Sequence, residues 1–282
     1  MYPSELFFKR NFNNNTGFMV YFHGFLSNMT FKNSKMIFAA AFLLLWGVEA
    51  QTQNEAEKDW LESYYEAPDP DQFVQQMKNW ASEGVLDNEH AKPALIAFTS
   101  QLIRQNKEKV ADWYERLSGL APQQMQVLHT AMLYSRTTEA DAIMQEKFGT
   151  RYEEQKRETK KILELPLDKE ATADMLWGFY YATGSEHAIR RVVLCFRFED
   201  APDNPEGVDV PEGYVPHYKR LPIFAENSLI ANGERHPRVV EILEKMLKED
   251  TSLTDLEKEG VYNVLSVLKP DVYPDRKEAE KV

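Results

Sequence analysis

Apolar side chains return at intervals of three and four through most of the chain, and that interval admits one regular structure. Phe73, Met77 and Trp80 stand four and three apart, and Val110, Trp113 and Leu117 are spaced in the same way. Met125, Leu128 and Met132 continue the pattern, as do Ile189, Val192, Val193 and Phe196, and Val239, Ile242, Leu243, Met246 and Leu247. Residues three and four apart share a face of an α-helix, whereas a strand would alternate every second residue. The breaks between these stripes carry helix punctuation: Ser118-Gly119, Gly149 and Gly184 follow stripes, while Pro93 and Pro122 fall where a first turn tolerates proline. Thr138 with Asp141 and Ser252 with Asp255 have the spacing of capping pairs, and Asp87 or Asn88 is placed to cap the helix carrying Leu95, Phe98 and Leu102. The charged run RYEEQKRETKKILEL reads as one helix reaching Pro166.

These units predict an all-α fold, an irregular α-solenoid or array of antiparallel helical hairpins over 51–198, each hairpin burying one face against the next. The clearest hairpin is LDKEATADMLWGFYYATGSEHAIRRVVLCFRFED. Gly184 ends its first helix and Ser185 begins its second, while VVLCF, strand-like by propensity, follows a helical pattern and is assigned to it. Stacked hairpins can leave a concave face, but Trp60, Trp80, Trp113 and Trp177 are assigned to packing. Residues 199–222 differ: EDAPDNPEGVDVPEGYVPHYKRLP holds five prolines and two glycines in 24 residues, which argues against a regular helix. So long a connection is commonly a lid, a binding loop or a boundary. C-terminal helices at 223–270 are expected to pack on the same domain, and 271–282 to fray.

Residues 36 to 52, MIFAAAFLLLWGVEAQT, fit none of these helices. From Met36 to Val48 there are 13 residues without a charge, fewer than the ~20 that span a bilayer. Lys32 and Lys35 precede the run, and Val48-Glu49-Ala50 puts small side chains at the positions before a cleavage after Ala50. This is the layout of a secretory signal, with an uncleaved anchor and a buried helix as the alternatives. Residues 1–50 are therefore read as a leader whose signal proper is 29–50, with translation starting at Met29 and the mature chain at Gln51. The product is expected to be exported: periplasmic in a Gram-negative cell, otherwise extracellular or surface associated, with no stable membrane span after cleavage.

Charge narrows the partners. Residues 1–50 hold four basic and two acidic side chains of the chain's 33 and 45, so the remainder has 29 against 43 and a net charge of −14. Such a balance disfavours nucleic acid and anionic lipid. The single cysteine, Cys195, forms no intrachain disulfide and lies among apolar neighbours, unsuited to nucleophilic catalysis. His90, His129, His187, His217 and His236 are scattered, without HExxH or CxxC, so neither a metal site nor a cofactor is assigned, and no catalytic residue is named. Two clusters remain as binding candidates. Glu186, His187, Arg190 and Arg191 lie at a helix start, and Tyr214, His217, Tyr218, Lys219 and Arg220 fall in the Pro-rich connection.

DMLWGFYYATGSEHAIRRVV, followed by AENSLIANGERHPRVVEILEKML, resembles a pattern in uncharacterised bacterial proteins of helical-repeat type over about residues 170–265, and is similar in outline to tetratricopeptide-like arrays. The resemblance implies a stacked helical fold and supplies no catalytic residue. The expectation is an exported, noncatalytic helical scaffold that binds a protein, peptide or envelope component. The alternative is an exported hydrolase with its site between the helix hairpins and the 199–222 connection.

Overall fold

The computed structural model describes residues 60–202 and 215–274, all within the unit Met36–Val282. The stretch read as an export signal, the leader before it, the middle of the Pro-rich connection with Tyr214, and the end of the tail lie outside the described residues.

After a turn of helix at 60–62 come α1 (Phe73–Ser82), α2 (Lys92–Gln105), α3 (Val110–Leu117), α4 (Pro122–Ser135), α5 (Thr138–Phe148), α6 (Thr150–Glu158), α7 (Glu170–Thr183) and α8 (Glu186–Val193). Beyond the connection lie α9 (Leu221–Arg235), α10 (Pro237–Glu249) and α11 (Asp255–Leu268). The fold is all-α, and no strand occurs among the described residues. Nor is any helix among them long and apolar enough to cross a membrane.

The stripes face inward as their spacing demands. Phe73, Met77 and Trp80 are buried on α1, as are Val110, Trp113 and Leu117 on α3 and Val239, Ile242, Leu243 and Met246 on α10. All four tryptophans assigned to packing, Trp60, Trp80, Trp113 and Trp177, are buried in one apolar core that extends from Trp60 to Leu265. Neighbours in sequence pack as pairs, α4 on α5, α7 on α8, and α10 on both α9 and α11. The most extensive contact joins helices far apart in sequence: α2 lies between α4 and α7. Its closeness depends on Gly178, where a Cβ would stand 2.0 Å from the backbone oxygen of Ala94, far inside contact distance.

Local chemistry corrects several boundaries. The cap of α5 is Thr137, whose side chain accepts from the Ala140 backbone N–H, while Asp141 pairs with Tyr152 and Lys156. Likewise Thr254, not Ser252, caps α11, in a reciprocal box with Glu257. Ser252 instead hydrogen-bonds Asp250. Asn88 accepts from the His90 N–H, and α2 begins only at Lys92, with Pro93 in its first turn. The charged helix stops at Glu158, because the chain must turn there to bring Ile162 beneath Ala97 and Met175. VVLCF stays helical but tightens into a 3-10 turn, Leu194–Phe198, in which Cys195 and Phe196 are buried. Pro-rich composition notwithstanding, the end of the connection is helical, with a 3-10 turn at His217–Arg220 running directly into α9.

Candidate site: the groove between α8 and α10

Gly184 ends α7 at φ +63°, a backbone conformation that glycine adopts without strain, and the reversal starts α8 two residues later. Two turns long, α8 buries Ala188, Ile189, Val192 and Val193, which directs Glu186, His187 and Arg190 toward the outside. On α10, beside its buried stripe, exposed Glu241, Lys245 and Glu249 recur four apart. The two outer faces do not close on one another. Between them lies a cleft of about 340 Å³ bordered by Glu186, His187, Arg190, Lys245, Met246, Glu249 and Asp250. A second recess of about 140 Å³ shares Glu186 and Lys245 and continues to Arg238, Glu241 and Ile242.

Ion pairs set the electrostatics. Lys245 Nζ donates to Glu186 Oε2 across the groove at 3.0 Å, with about half of each side chain exposed. Arg190 Nε donates to Asp250 Oδ2 at 2.8 Å, and its terminal nitrogen donates to Ser252 Oγ at 2.7 Å. Hydrogen bonding from Ser252, followed by that from Arg190, holds the Asp250 carboxyl down at about 2. Arg238 donates to the Gly184 carbonyl at 3.3 Å and lies over the Tyr65 ring. The groove therefore presents charged walls, much of whose charge is already neutralised, over Ile242 and Met246, which are themselves buried in the core.

Of the residues singled out from the sequence, Glu186, His187 and Arg190 border this groove, but Arg191 does not. It turns to the other side of α8, where its guanidinium donates to the carbonyls of Leu165 (2.6 Å) and Ile162 (3.4 Å) and fixes the 162–165 turn. The second cluster is a separate junction. Tyr218 Oη donates to the Pro202 carbonyl at 2.8 Å, its ring packs against Phe198, and Lys219 donates to the Ala201 carbonyl, so the two ends of the connection are tied together. Arg220 Nε pairs with Glu170 Oε1 at 2.7 Å, and another Arg220 nitrogen donates to His217 Nδ1 at 2.6 Å. Because a guanidinium only donates, this bond makes His217 Nδ1 the acceptor and leaves it no proton for Glu170 Oε2, 3.3 Å away.

Sequence reasoning missed the α10 wall, because only the buried stripe of that helix drew notice; the Glu241, Lys245, Glu249 repeat was the available signal. It also missed Asp174, one turn from Glu170 on α7. Burial, with a smaller contribution from Glu170, pushes the Asp174 carboxyl up to about 8. A third feature had no local signal at all: Glu62, Arg235 and His236 meet with Tyr181 and Asn232, where Arg235 donates to Glu62 at 2.7 Å and buried Tyr181 donates to Asn232. Cys195 is fully buried, and burial pushes its thiol up to about 12, the opposite of what a nucleophile needs. Among the described residues, no group of three or more His, Cys, Asp and Glu side chains is arranged to hold a metal ion.

Comparison of the chain with protein-family models, with curated proteins and with solved structures finds no match.

Proposed function

We propose that this chain is an exported, noncatalytic helical scaffold whose α8–α10 groove docks a segment of a protein, peptide or envelope component. The groove carries this reading. It is an open trough along a helix, and Arg190, Asp250, Glu186 and Lys245 are engaged with one another instead of converging on one reacting atom. A trough of this kind offers a partner segment charged rims to pair with. The helical-repeat resemblance over 170–265 agrees with a stacking role, and the apolar run at 36–48 with its basic flank supports export.

Cys195 is buried and unreactive, so H187C supplies a single labelling position in the groove. A photo-crosslinker there should trap a partner that the same label at Glu115 on α3 does not. Equal capture at both positions would remove the groove from the proposal. Export is checked separately by amino-terminal sequencing, with Gln51 as the expected first residue.

The hydrolase alternative has one observation in its favour, the carboxyl pair of Glu170 and Asp174 beside His217 and Arg220, where the connection meets α7. Asp174 would be its proton donor, since its carboxyl keeps a proton at neutral pH. Hydrolysis of an ester, glycoside or peptide panel by the wild type, lost in D174N, would replace the scaffold reading.

A further inference from the structure

We draw no further inference here: the strongest candidate, the surface patch where the rings of Tyr114, His129 and Phe148 from α3, α4 and α5 come together under the Lys147 ammonium, is covered by that lysine of the same chain, and nothing in the structure shows an outside group that would replace it.

Discussion

The α2–α7 seam and the α8–α10 groove are both places where two helices meet, and their side chains make them opposites. At the seam Gly178 brings α7 against the backbone of Ala94, and the helices close over Leu95, Phe98 and Leu176 with no room left. At the groove, long charged side chains stand on the facing surfaces, and the helices are held apart by Glu186, Lys245, Arg190 and Asp250. Small residues permit backbone approach and produce a dry contact, whereas hydrated ionic groups resist being sealed and leave a trough. Stability should accordingly be concentrated at the first contact and availability to a partner at the second.

The largest effect that would test this contrast is at Gly178. G178A forces the helices apart and should lower unfolding free energy by about 3 kcal/mol in urea titration. Gly119, where an added Cβ meets nothing within 4 Å, provides the control, with a change under about 0.5 kcal/mol for G119A. A seam that tolerates G178A would abolish the distinction between the two contacts.

Next in size is an ion pair whose carboxylate alone is buried, to set against the exposed pair in the groove. Glu257 is buried, accepts from Arg197 at 2.9 and 3.1 Å, and also closes the Thr254 capping box at 2.9 Å. E257A removes both roles and should lower unfolding free energy by about 2 kcal/mol in urea.

Asp174 should then produce an effect of opposite sign. Its folded pKa, about 8, lies above the unfolded value, so the folded state holds an extra proton between pH ~4 and ~8. Stability from this group therefore falls as pH rises through that interval. D174N should flatten the decline and raise unfolding free energy at pH 8, read from thermal melts at pH 5 and pH 8. The smallest expected change is at the groove itself: K245A should leave the urea midpoint indistinguishable from that of the wild type, since the Glu186 pair is exposed. A measurable loss would mean the groove is a structural contact.

How much of this was legible beforehand varies with the range of the interaction concerned. Stripes such as Phe73, Met77 and Trp80 were legible because a helix face is fixed by spacing within a few residues. Caps were found within a residue or two and then misassigned. Thr137 and Thr254 compete with neighbouring Thr138 and Ser252, and only backbone geometry decides which hydroxyl reaches the N–H. The end of α6 was missed because a demand from elsewhere sets it, the seating of Ile162 under Ala97 and Met175. At the candidate site, Glu186, His187 and Arg190 were found as neighbours in the chain. Arg191, adjacent to them, leaves for the opposite side, because consecutive residues on a helix point about 100° apart.

By itself the sequence determined the all-α class, the inward faces of the helices, the reversal at Gly184 and the breadth of acidic surface, since each depends on local backbone preference, short-range spacing or composition. Tertiary structure alone decided that α2 pairs with α7, that Arg220 reaches Glu170 and not the groove, and that Glu241 and Glu249 face Glu186 across an open cleft. Those pairings join residues from about 50 to 80 positions apart, and nothing in a helix period specifies which other helix its outer face will meet.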